Sequence, residues 1–125
     1  MAARLRRILV GYDGTEAAQR ALDAAVGLIG YGSTLAVASV APEGTRTADI
    51  VLSEVRKRLL ESHVTATYLP LLGKPADELV DAACELDADL VVVGGRNKNG
   101  VLRLELGPVS AEVVQRAPCD VLVVK

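Results

Sequence analysis

The feature that most constrains this chain is its alternation of short apolar runs with stretches of helical spacing. Within Asp89–Gly94 (DLVVVG) the run Val91–Val93 is apolar at every position, as expected of a strand covered by helices on both faces. Leu5–Gly11 is a second such run ending at glycine, and Thr34–Val40, Val64–Leu72 and Asp120–Lys125 supply three more strands. Between them, Ala18, Ala21, Leu22, Ala25, Leu28 and Ile29 fall at helical spacing. So do Ala48, Val51, Leu52, Val55 and Leu59, then Ala76, Leu79, Val80, Ala83 and Leu86, and finally Ala111, Val114 and Ala117. In the second of these helices Arg56, Lys57 and Arg58 read as a solvated face. This rhythm predicts parallel βαβ units in one sheet, with right-handed crossovers on both faces. The expected fold is a doubly wound α/β sandwich, and residues 1–125 read as a single domain.

Composition narrows the functional classes. Half of the residues are hydrophobic but only 2% are aromatic, with three Tyr and neither Phe nor Trp. The core must therefore be aliphatic. Fourteen basic residues stand against 16 acidic ones, for a net charge of −2. A phosphate-backbone binder needs a basic excess, and single-strand stacking needs aromatics, so nucleic acid is not an expected partner. No apolar run approaches the roughly 20 residues that span a bilayer, so no membrane association is expected. The N-terminal apolar stretch is too short for a secretory core. Cys84 and Cys119 lack CxxC spacing and are expected to be small buried thiols in a reducing cytoplasm.

In an open parallel sheet, ligands bind beyond the carboxyl ends of the strands, where the strand order reverses. The order 2-1-3-4-5 would place that crevice between the first and third strands, and 3-2-1-4-5 between the first and fourth. The first strand ends in Gly11-Tyr12-Asp13-Gly14-Thr15 and the fourth in Gly94-Gly95-Arg96-Asn97-Lys98-Asn99-Gly100, whereas the third ends in the plainer Leu72-Gly73-Lys74-Pro75. The 3-2-1-4-5 order brings the two richer loops together and is the expected one. Gly94 and Gly95 would let backbone approach a ligand closely, while Arg96, Lys98 and Arg103 add positive charge. Gly107-Pro108-Val109-Ser110 then opens the last helix, whose free N–H groups favour an anion. Neither GxGxxG nor the P-loop pattern is present.

These residues resemble the universal stress protein family. ATP-binding members of that family carry G-x2-G-x9-G-[ST] after the fourth strand, an Asp ending the first strand and a Val ending the second. Gly94 fits the first glycine, Asn97 stands at the second, Gly107 fits the third, and Pro108 occupies the Ser/Thr place. The segments ILVGYDGTEAAQRAL and VSAEVVQRAPCDVLVV are also similar to the family's first and last segments, so the resemblance covers the whole chain.

The resemblance implies an adenine nucleotide alpha hydrolase-like sheet of order 3-2-1-4-5 and a homodimer formed through the C-terminal strand. It also implies a cytoplasmic role in stress response, and ATP, with Mg²⁺, as the bound cofactor. Asp13 and Val40 would meet the ribose and adenine, with Gly11 and Tyr12 lining that end. Arg96 and the N–H groups of Val109 and Ser110 would face the phosphates. Pro108 departs from the pattern by removing a hydroxyl and a backbone donor, Asn97 departs more mildly, and Glu105 adds negative charge. The alternative is a dimeric signalling or interaction module that binds no nucleotide. No general base stands out, so slow ATP hydrolysis is the most that is expected.

Plainer roles compete at several positions. Asp13 could cap the first helix, with Glu16 at the capping-box position, unless Thr15 takes over the cap. Pro108 suits the first turn of a helix. His63 follows a helix end and is expected to be a cap or an exposed residue.

Overall fold

A computed structural model describes residues 6–97, 104–105 and 108–125. Five parallel strands form the sheet: β1 (Arg7–Gly11), β2 (Thr34–Ala41), β3 (Thr67–Leu72), β4 (Leu90–Gly94) and a C-terminal strand, Asp120–Val124. Between β4 and that last strand lie two two-residue strands, β5 (Arg96–Asn97) and β6 (Leu104–Glu105), which pair antiparallel with each other. The C-terminal strand is therefore β7. The sheet order is β3-β2-β1-β4-β7, the 3-2-1-4-5 arrangement expected from the two ligand loops. Among the described residues four helices cover it: α1 (Glu16–Leu28), α2 (Thr45–Glu61), α3 (Pro75–Glu85) and α4 (Pro108–Arg116).

Side-chain alternation along the strands sorts these helices onto two faces. Ile8, Val10, Val37, Leu90 and Val92 point to one side and pack with Ala21, Leu22 and Ala25 of α1 and with Leu52, Val55 and Leu59 of α2. Leu9, Ala36, Ala38, Val91 and Val93 point to the other, against Leu79, Ala82 and Ala83 of α3 and Val113 of α4. Strands buried on both faces need apolar residues at successive positions, and Val91 and Val92 are fully buried. Alanine on the helices lets them lie close to the sheet. Close packing with few aromatics is thus a consequence of two largely aliphatic layers around one sheet.

Helix ends follow local chemistry. The α2 helix stops at Ser62, and His63 then adopts a left-handed φ of 58°. His63 donates its N–H to the Leu60 carbonyl while Val64 donates to Leu59, satisfying carbonyls of the last turn. The exposed position expected for His63 is therefore a helix terminus. The basic face of α2 differs from a merely solvated surface. Arg58 pairs with Asp23 of α1 at 2.6 Å, and the Arg56 guanidinium lies 4.7 Å from the Tyr68 ring centroid. The thiols also differ from expectation, since Cys84 is exposed and Cys119 half-buried. Cys84 falls in the last turn of α3, on the face turned from the sheet.

Candidate functional site

The strand order reverses at β1, which has β2 on one side and β4 on the other. The chain leaves β1 toward β2 and β3, then returns through α3 to β4 on the opposite side. The connecting segments therefore diverge above the carboxyl ends of β1 and β4 and leave a crevice there. A cavity of about 730 Å³ occupies this place, within the usual size range of small-molecule sites.

Its floor is built by chain reversal and helix starts. Gly11 and Tyr12 leave β1, and the Tyr12 N–H donates to the Ala38 carbonyl at 2.8 Å, extending the β1–β2 ladder. The Tyr12 side chain is buried among α1 and α2 residues. Burial pushes its phenol above the ordinary value, although a hydrogen bond with Gln19 acts the other way. Asp13 follows and is exposed. Its Oδ1 accepts from the Thr15 N–H at 3.0 Å and from the Thr15 hydroxyl at 2.6 Å.

Thr15 is the actual N-cap of α1, accepting from the Ala18 N–H at 3.2 Å. This removes the capping-box reading of Asp13 and Glu16, because Glu16 is the first residue of α1 rather than its third. Among the described residues both hydrogen bonds to Asp13 fall on Oδ1, which leaves Oδ2 for a ligand donor.

Of the residues singled out from sequence, Gly11, Tyr12, Asp13, Val40, Gly94, Val109 and Ser110 all line this one cavity. Arg96 and Asn97 form the backbone of β5. Their side chains lie outside the described residues, as do Gly107, Lys98 and Arg103. Pro108 takes the first position of α4, where a missing N–H costs least. Val109 and Ser110 follow it in the first turn of α4, the helix end that carries positive partial charge, and both line the cavity.

Gly94 has a packing role besides its place in the cavity lining. A Cβ there would lie 2.7 Å from the Ala17 carbonyl carbon, so the space is already taken by α1. The glycine brings helix and strand together, and the ligand loop inherits that proximity.

Residues missed by sequence reasoning complete the wall. Leu79 of α3 and Ala38 of β2 add apolar surface next to Val40, while Glu16 and Arg20 of α1 add charge. Leu79 carried a helical-spacing signal but no hint that it faced a cavity. Arg20 looked like any other exposed helix residue. Among the described residues no group of three or more His, Cys, Asp or Glu could hold a metal ion.

An apolar slot, the Asp13 and Glu16 carboxylates and a helix start, gathered at a strand-order reversal, define an α/β protein with a cavity of small-molecule size beyond its strand ends. Comparison with known proteins agrees with that class and narrows it. The universal stress protein family model matches residues 4–125, and the chain belongs to the universal stress protein family.

Universal stress protein Rv1636 of Mycobacterium tuberculosis is 32% identical over 139 residues, covering 95% of each chain. A universal stress protein of Thermus aquaticus is 33% identical over 135 residues, covering 96% of this chain and 98% of its own. Among solved structures, a universal stress protein in complex with cAMP aligns with a TM-score of 0.79 at 32% identity, with 98% of each chain covered.

Proposed function

We propose that this protein is a single-domain cytoplasmic universal stress protein that binds an adenine nucleotide, including ATP, in the cavity between the β1 and β4 loops. The observation that carries this reading is the convergence of Asp13, Val40, Gly94, Val109 and Ser110 on one cavity, although they are distant in sequence. Adenine would rest on Val40, Ala38 and Leu79, the aliphatic part of the lining. The spare Oδ2 of Asp13 would accept from a ribose hydroxyl. The phosphates would lie toward the first turn of α4, where backbone N–H groups stabilise negative charge. The family neighbour bound to cAMP supports an adenine nucleotide as the ligand class.

Binding rather than turnover fits this site. Asp13 is engaged with Thr15, and the described lining offers no His. The role would then be regulatory, with occupancy of the cavity as the signal. Isothermal titration with ATP and Mg²⁺, alongside cAMP, tests the reading. A saturable heat with a matching rise in melting temperature is expected, and no heat at millimolar nucleotide would remove it.

Pairing with a second copy is part of the same proposal. β7 is an edge strand, and Leu122 on it is exposed. An apolar edge of this kind invites another strand. Sedimentation should give a dimer that Leu122→Lys dissociates; a wild-type monomer at high concentration would rule pairing out. A dimer whose stability ignores every adenine nucleotide would favour an interaction module, the role to which the loss of a donor and a hydroxyl at Pro108 points.

A further inference from the structure

We infer that Arg20 is the anion-recognising side chain of this cavity and selects phosphorylated over unphosphorylated adenosine. The inference rests on the adenine-nucleotide reading of the cavity and adds to it the residue that would set ligand charge. Among the described residues lining the cavity, Arg20 is the one cation, and the acidic Asp13 and Glu16 share that lining.

Its place in the fold puts it at the correct end. Arg20 Nε donates to the Lys125 carbonyl at 2.5 Å, and Lys125 directly follows β7. Val40, the apolar floor, belongs to β2. The sheet order separates β2 from β7 by three strand spacings, or about 14 Å. That is comparable to an extended nucleoside monophosphate lying across the carboxyl ends, with its base over β2 and its phosphate near β7.

The guanidinium is also held ready for an anion. Its Nε is fixed by Lys125, which orients the plane, while NH1 is 4.0 Å from the Glu16 carboxylate, too far for a close hydrogen bond. The terminal nitrogens thus keep donors for a ligand, and the side chain is about half exposed. A fixed planar fork is suited to phosphate oxygens in a way that a lysine is not. Gly95, also in the lining, donates its N–H to the Val124 carbonyl at 2.7 Å. Consecutive carbonyls at the end of β7 therefore hold two neighbouring parts of the wall in place.

The test compares adenosine 5′-monophosphate with adenosine by isothermal titration on wild type, Arg20→Met, Arg20→Lys and Glu16→Gln. Wild type should prefer the monophosphate. Arg20→Met should weaken it by about tenfold to a hundredfold, the scale of a lost charge-assisted hydrogen bond, and leave adenosine unchanged. Unchanged adenosine binding also reports that the variant's cavity is folded. Arg20→Lys should fall between the two, and Glu16→Gln should tighten the monophosphate alone.

If Arg20→Met affects both ligands equally, or neither, the role of Arg20 is overturned while the adenine reading stands. If wild type binds neither compound, both fail together.

Discussion

Gly94 of β4 and Ala17 of α1 approach so closely that a methyl group on Gly94 would lie 2.7 Å from the Ala17 carbonyl carbon and 2.9 Å from its Cβ. This contact sets how near α1 comes to the carboxyl end of β4, and hence the width of the crevice. Gly94→Ala should therefore destabilise the fold by about 1–3 kcal/mol, the range for overpacking a tight site. Because the nearest atom belongs to the backbone, Ala17→Gly should not rescue it. Urea unfolding of the single and double variants measures both effects.

Thr15 anchors the start of α1 and holds Asp13 at the same time. Thr15→Ala removes the cap on the Ala18 N–H and should cost about 1 kcal/mol. It also frees the Asp13 carboxylate from the hydroxyl it now accepts from. Nucleotide affinity should fall more in this variant than in Thr15→Ser, which keeps both contacts. Denaturant unfolding and titration separate the stability effect from the binding effect.

On the opposite face, Arg116 of α4 bonds to Asp77 of α3 at 2.6 Å and holds that carboxyl below its ordinary value of 3.8. A carboxylate lowered on folding contributes stability above its unfolded pKa and loses it as pH falls through the folded value. Wild type should thus be more stable than Arg116→Met at neutral pH. The gap should persist down to the carboxylate range and close in more acidic buffer. The effect is small because the pair is exposed. Melting curves from pH 7 to strongly acidic conditions check the sign, and a gap that widened on acidification would contradict it.

The two thiols should differ in reactivity. Cys84 is exposed, whereas Cys119 is half-buried and burial pushes its thiol up. A maleimide at neutral pH should label Cys84 first and Cys119 slowly, as peptide mass analysis would read.

The sheet was legible because burial on both faces leaves a mark on every residue of a strand, as in Val91–Val93. The strand order was legible from loop chemistry, since glycine and polar residues cluster after β1 and β4 but not after β3. The cap was harder. Asp13 and Thr15 are both good N-cap residues, and only the path of the chain shows that Thr15 accepts from Ala18.

The packing role of the glycine at position 94 was hidden, because a sequence cannot say whether a helix, a ligand or both need the room. The short β5–β6 pair had no hydrophobic alternation to reveal it, as two-residue strands carry no period. Arg20 was invisible for a related reason. An arginine four residues after a glutamate looks like surface charge on any helix, and its pairing with Lys125 spans nearly the whole chain.

The most direct test of the central claim is an amide-resolved NMR titration with ATP and with cAMP. Saturable shifts are expected at Gly11, Tyr12, Asp13, Val40, Gly94, Gly95, Val109 and Ser110, with the sheet's amino-terminal ends unmoved. Saturable shifts confined to the amino-terminal ends, or none at millimolar nucleotide, would contradict an adenine nucleotide site between β1 and β4.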